Sequence, residues 1–258
     1  MTDVKKNNFL TSDIRHPTSG AARALNSWDA IKLLALLLMF VDHSGHFYFT
    51  GEQWLRAIGR GAVPIFLFLG GFAASYRFKW DIFALALLMS VSDVLLTHHL
   101  RTQNILFTIL LCRLIFAWLE SKGRTIERPW EWYAGSLALI ASIFAVQYGS
   151  FGMLFAISGY LARRSQYYPQ ALARRFLIAS FIAYGIFSAF YAGFSPINTL
   201  LMSITLCAVY LLLSRLEIKN ISAGPHWLSR FLKLISYYTG YIYALHLIAL
   251  EWITGVPF

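Results

Sequence analysis

The chain has 258 residues, of which 58% are hydrophobic, 17% aromatic and only 13% charged, with a formal net charge of +10. A soluble domain carries about twice that charged fraction, and the charges here are too few to cover a core built from 21 Phe, 14 Tyr and 8 Trp together with the aliphatics. The composition excludes an ordinary soluble globule and, being rich in apolar residues, a disordered chain; it points to an all-α, polytopic transmembrane bundle.

Residues 1–27 are polar and basic. They are expected to form a flexible cytoplasmic arm, because no small-residue cleavage site of a signal peptide follows the first apolar run. A membrane helix needs about 20 mostly apolar residues. Runs of that kind are predicted at Trp28–Tyr48, Ala62–Tyr76, Trp80–Thr97, Asn104–Leu119, Tyr133–Gln147, Phe151–Ala162, Ala173–Gly193, Ile197–Ser214 and Tyr237–Thr254. Residues 28–258 are thus expected to be one transmembrane domain of about nine spans. The fifth and sixth runs are short and separated by Tyr148, Gly149 and Ser150, which leaves a re-entrant hairpin open and sets the count at eight to ten.

The basic residues agree with this division. Seventeen of the 22 fall in alternate connections, from Lys5 and Arg23 in the arm through Arg77 and Lys79, Lys122 to Arg128, Arg163 to Arg175, and Arg215 to Lys233. By the positive-inside rule these connections are cytoplasmic, so the N-terminus is expected inside and the C-terminus outside. Trp28, Trp80, Trp118, Trp130, Trp132 and Trp252 fall at or near span ends, where an indole keeps its ring in lipid and its N–H wet. The net charge therefore reads as topology, not as a nucleic-acid surface. Cys112 and Cys207 lie in apolar runs and form neither a disulfide framework nor a metal spacing.

Ionisable groups at bilayer depth are costly and usually face a wet interior, so they mark candidate sites. In the first span Asp29, Lys32, Leu36, Met39, His43 and His46 recur at helical steps and share one face. Asp42 lies beside that stripe, in range to orient His46 or His43. Arg60, Asp93, His98, His99, Arg101, Asn104 and Glu251 are expected at the same outer level, and His246 near the middle of the last span. Histidine with a carboxylate partner removes protons from amines or hydroxyls at neutral pH, and an arginine nearby stabilises an oxyanion. Only His43 with His46 has a familiar metal-ligand spacing, and no metal is expected.

The run Asp29-Ala-Ile-Lys32, Ala35-Leu36, Met39, Asp42-His43, Gly59-Arg60-Gly61-Ala62, Pro64 and Phe66 resembles the N-terminal signature of the TraX family, named for a conjugative pilin acetylase. Asn104-Ile-Leu-Phe107, Tyr148-Gly-Ser-Phe-Gly152 and Tyr243-Ala-Leu-His246-Leu247 are similar to its later blocks, so the resemblance runs from Trp28 to Leu250. It implies an integral membrane acyltransferase of the bacterial inner membrane that uses cytoplasmic acetyl-CoA to acetylate an acceptor on the far side. The family's aspartate and histidine fall on Asp42 and His43, its arginine on Arg60 and its late histidine on His246; His46 has no counterpart in the pattern. On this reading His43 is the general base, helped by Asp42, Arg60 holds the oxyanion, and His46, Asp93, Asn104 and His246 are accessory. Lys32, Arg77, Lys79 and Arg113 are candidates for the CoA phosphates. Direct transfer and an acetyl-histidine route both fit, as do a pilin-like protein, a sugar hydroxyl or another small molecule as acceptor. A proton-coupled transporter or a non-enzymatic assembly factor is the alternative of another class.

Overall fold

The computed structural model describes residues 25–73, 75–98, 104–121, 148–165, 167–221 and 225–256. Among these are ten helices: α1 (Ser27–Phe47), α2 (Gln53–Gly59), α3 (Ala62–Gly71), α4 (Trp80–Thr97), α5 (Ile105–Ser121), α6 (Gly149–Arg163), α7 (Gln170–Ala192), α8 (Pro196–Ser214), α9 (His226–Tyr237) and α10 (Thr239–Thr254). The one pairing of extended backbone among the described residues is an antiparallel bridge between Asn26 and Asn220. The expected span Tyr133–Gln147 lies outside the described residues, as does the basic arm up to residue 24.

By length and composition α1, α4, α7 and α8 can each cross a membrane, and α6 contains a shorter apolar stretch, Phe151–Arg163. Large apolar side chains stand exposed at helical spacing on their outer faces: Leu88, Val91 and Leu95 on α4, Ile178, Ile182, Ile186 and Phe190 on α7, and Leu200, Ile204 and Leu211 on α8. Such continuous apolar stripes suit lipid and not water.

Most expected spans shift by one to three residues at their ends, and two of the differences have a local physical reason. The second was expected to run to Tyr76, but α3 ends at Gly71. There Gly70 and Gly71 weaken the helix, and the Tyr76 hydroxyl folds back to donate to the Gly71 carbonyl, satisfying an acceptor that the helix end leaves open. The last was expected from Tyr237, but α10 starts at Thr239 because the preceding residues form α9, a separate helix with Trp227, Phe231, Leu234 and Tyr238 on one exposed stripe. α2 was not expected at all, being too short to display an apolar period.

α1 starts from a capping box: the Asn26 side chain accepts from the Asp29 N–H at 3.1 Å and the Asp29 carboxylate accepts from the Asn26 N–H at 3.2 Å. Ser27 N–H donates to the Lys219 carbonyl at 2.9 Å and Ile221 N–H to the Leu25 carbonyl at 2.7 Å, which brings the chain leaving α8 against the start of α1. At the same end Arg113 donates to the Ser75 and Arg77 carbonyls at 2.8 and 2.9 Å, Arg164 pairs with Glu120 and donates to Tyr76 at 3.0 Å, and Phe72 lies between Trp28 and Arg163. The starts of α1 and α4 and the ends of α3, α5 and α6 thus meet in one basic, aromatic end.

α3 and α6 cross at backbone contact. A Cβ on Gly71 would overlap the Ala156 carbonyl, one on Gly159 the Phe68 carbonyl, and one on Gly152 would come within 2.6 Å of Thr108. Small residues that let helix backbones touch are the usual means of helix association in lipid, where dispersion replaces the hydrophobic drive. Gly71→Ala is expected to overpack this crossing and lower stability by about 1–3 kcal/mol; a melting temperature equal to the wild type's would show that the helices are not in this contact.

Candidate functional site

The C-terminal half of α1 and the middle of α10 meet through two imidazoles. His43, 3% exposed, places Nδ1 3.3 Å from Nε2 of His246; the rings are within 8° of parallel with centroids 4.8 Å apart. Of two ring nitrogens at that distance one must carry a hydrogen and the other a lone pair, so the contact requires complementary tautomers, with either ring as the donor. Aromatic rings enclose it: Phe40 stands edge-on to His246 at 4.4 Å, and Phe47 and Tyr243 flank His43 at 6.4 and 6.1 Å. His46 is half-buried, with its ring against Phe47 at 4.8 Å.

Beside the pair lies a cluster of opposite charges. Gly59 sits so close to α1 that a Cβ there would overlap the backbone and Cβ of Asp42. Only glycine permits that approach, and it carries the next residue, Arg60, in beside Asp42. Arg60 is 6% and Asp42 5% exposed. The Arg60 guanidinium donates to the Tyr148 hydroxyl at 3.3 Å, and its backbone carbonyl accepts from the Tyr184 hydroxyl at 3.2 Å. The Asp42 carboxylate is close enough to act on both Arg60 and Arg56. One acid among two guanidiniums leaves the region formally cationic.

Asp42 Oδ1, Arg56 Nε, Arg60 Nε and His246 Nδ1 are all buried and meet no hydrogen-bond partner among the described residues. Native proteins leave few such atoms, each at a cost of about 1–3 kcal/mol. Four in one region mark a place where the described residues leave buried polar atoms for a further polar group to meet.

The structure brings together Asp42, His43, Arg60 and His246 of the expected residues, with one rearrangement: the hydrogen-bond partner of His43 is His246, and Asp42 stands with the arginines. Asn104 serves its helices, donating to the Ala86 carbonyl at 2.9 Å and accepting from the Leu106 N–H at 3.1 Å. Asp93 is half-buried on the last turns of α4, where its carbonyl accepts from Thr97 at 2.8 Å. Glu251 is buried beyond His246 on α10. His98 is exposed, in a left-handed conformation past the end of α4, while His99 and Arg101 lie outside the described residues. Lys32, Arg77, Lys79 and Arg113 lie at the basic end. Arg113 donates from one guanidinium nitrogen to two backbone carbonyls, Arg77 and Lys79 are exposed, and Lys32 lies over the Trp28 ring at 5.8 Å. Among the described residues no three His, Cys, Asp or Glu side chains converge as metal ligands.

Arg56, Tyr148, Tyr184 and Tyr243 were not singled out as site residues. Tyr148 opens a quoted motif and Tyr243 precedes His246 by three residues, so helical spacing carried a signal for both. Tyr184 carries none, since one tyrosine in an apolar span of a chain with 14 is ordinary.

Lipid-suited faces around a core that buries an imidazole pair and an arginine–carboxylate cluster define an integral membrane protein with one dense polar site among its described residues. The family model described as TraX protein matches residues 27–254, and the chain belongs to the TraX family. It is 26% identical to Protein TraX of Escherichia coli over 158 residues, 56% of this chain and 60% of that protein. It is 31% identical to an uncharacterized protein of Rickettsia prowazekii over 91 residues, 35% of this chain and 37% of the relative. The matches thus span less than two thirds of either relative's length. No solved structure matches.

Tyr148→Phe removes the hydroxyl that accepts from the Arg60 side chain. The buried donor it orphans should cost about 1–3 kcal/mol, measured as a fall in melting temperature against Tyr167→Phe, an exposed control; equal melting temperatures would show that the contact contributes nothing.

Proposed function

We propose that the protein is an acetyltransferase of the bacterial inner membrane, moving an acetyl group from cytoplasmic acetyl-CoA to an amine or hydroxyl acceptor in the outer half of the bilayer. The observation that carries this reading is the set of four buried polar atoms, without a partner among the described residues, around the His43–His246 contact. A thioester carbonyl and an acceptor N–H or O–H are the groups that such a site would satisfy. The basic end of the bundle would face the cytoplasm, in keeping with the positive-inside rule.

The chemistry follows from these groups. The acceptor nitrogen or oxygen attacks the thioester carbonyl carbon while its proton passes to the imidazole pair, with His43 as the first base and His246 spreading the charge through their shared hydrogen bond. Arg60, with Arg56 behind it, stabilises the oxyanion of the tetrahedral intermediate. Asp42 limits the repulsion between the two guanidiniums and keeps Arg60 in place. Collapse breaks the C–S bond, and the pair returns its proton to the departing thiolate. The family resemblance favours a pilin N-terminal amine as acceptor; a sugar hydroxyl would use the same steps.

His43→Ala should reduce acetyl transfer by about a hundredfold or more, the usual contribution of a positioned general base, with the helical circular dichroism retained; transfer at the wild-type rate by folded His43→Ala protein would contradict the assignment. Acetyl-CoA at about 100 times its dissociation constant should stabilise the purified protein by about 2.7 kcal/mol. A proton-coupled transporter, having no site for the nucleotide, would show no rise in melting temperature.

A further inference from the structure

The basic end contains a groove that the transfer chemistry does not use. It lies between the first turns of α1 and the amphipathic α9 and encloses about 420 Å³. Lys32 of α1 and Arg230 and Lys233 of α9 line it, together with Trp28 and Tyr237. Also in its lining, the Ser236 hydroxyl donates to Asp29 Oδ1 at 2.9 Å, while Oδ2 of the same carboxylate takes the Asn26 N–H. Three cationic side chains thus share the groove with one carboxylate whose two oxygens already accept hydrogen bonds, an arrangement that favours an anionic ligand with several oxygens.

The position of α9 is fixed by the chain. The Asn26–Asn220 bridge ties the segment leaving α8 to the start of α1, and the Asp29–Ser236 hydrogen bond holds the far end of α9 on the same helix. Arg230 and Lys233 are one turn apart on α9 and so share a face, which lines the groove with Lys32. Along α1, Lys32 precedes His43 by eleven residues, an axial distance of about 16 Å at 1.5 Å per residue. A ligand anchored by phosphates in the groove must therefore carry its reactive group on a long, flexible arm to reach the imidazole pair.

We propose that this groove binds the phosphate-bearing nucleotide end of a coenzyme A thioester. Arg230, Lys233 and Lys32 hold the phosphates, Trp28 and Tyr237 flank the base, and the pantetheine arm runs toward His43. The assignment rests on the acyl-CoA reading above and extends it to residues of α9 that no sequence motif marks.

The test uses the full-length protein in a neutral detergent, with affinities for acetyl-CoA and for adenosine 3′,5′-bisphosphate measured by titration calorimetry. Three forms are compared: the wild type, the doubly neutralised Arg230→Gln/Lys233→Gln variant, and the charge-keeping Arg230→Lys/Lys233→Arg variant, with folding checked by circular dichroism. The wild type should bind both ligands, neutralisation should weaken each by about tenfold or more, and the charge-keeping exchange should restore most of the affinity. Because the bisphosphate lacks the arm, its loss in parallel with acetyl-CoA places the effect at the nucleotide end. Equal acetyl-CoA affinity in the wild type and the neutralised variant would overturn the groove assignment and leave the acyl-CoA reading intact. If the wild type bound neither nucleotide, both would fall, and protection of the same protein by phosphatidylglycerol nanodiscs through Arg230 and Lys233 would reassign the groove to a lipid headgroup.

Discussion

A polar side chain inside a lipid-facing bundle must find another polar side chain, because neither solvent nor lipid will satisfy it. That constraint organises the region around α1. His43 reaches across to His246 on α10, Asp42 stands against the arginines at the end of α2, and Arg60 is held by Tyr148 before α6 and by Tyr184 on α7. The first two contacts fasten α10 and the end of α2 to the same two turns of α1, and the last ties the start of α6 and α7 to Arg60, so the groups proposed for catalysis are also those that fix the relative positions of the helices. On the proposed reading, the four buried atoms that find no partner among the described residues are where a substrate would bind.

α1 is consequently a helix with two chemistries. Its first turns carry Trp28, Asp29 and Lys32 into a cationic, aromatic region with α9, and its last turns carry Asp42 and His43 into a cluster of imidazole, guanidinium and phenol. Between them Ile31, Ala35, Leu36 and Met39 are buried core, which separates the two regions by about eleven residues of helix, about 16 Å. An acyl donor with a polyanionic end and a reactive end on a long arm has the complementary form. Contacts built from glycine, such as Gly59 on Asp42 and Gly71 against Ala156, set these distances through the backbone and leave little freedom for side-chain repacking to change them.

Much of this was legible in the sequence because charge is scarce. With 13% charged residues, Asp42, His43, Arg60 and His246 stand out from their apolar surroundings, and helical spacing places Lys32 and His43 on one face without a structure. Partnership was less legible. Asp42 is adjacent to His43 in sequence, which invites pairing, yet successive residues on a helix diverge by about 100°, and His43 instead meets a residue 203 positions away. Arg113 sits in an apolar run and reads as a ligand-binding cation, while the structure shows one of its guanidinium nitrogens bonded to two backbone carbonyls of the α3–α4 connection. α9 was hidden because its basic residues report membrane topology equally well as a loop or as an amphipathic helix.

The central claim is that His43 and His246 act as one proton-handling unit. The most direct measurement is a double-mutant cycle on acetyl transfer, comparing His43→Ala, His246→Ala and the double variant at saturating acetyl-CoA. Residues that act as a unit are strongly non-additive, so the double variant should be about as slow as His43→Ala alone. A double variant whose loss equals the product of the two single losses would show that the histidines work independently and would contradict the account.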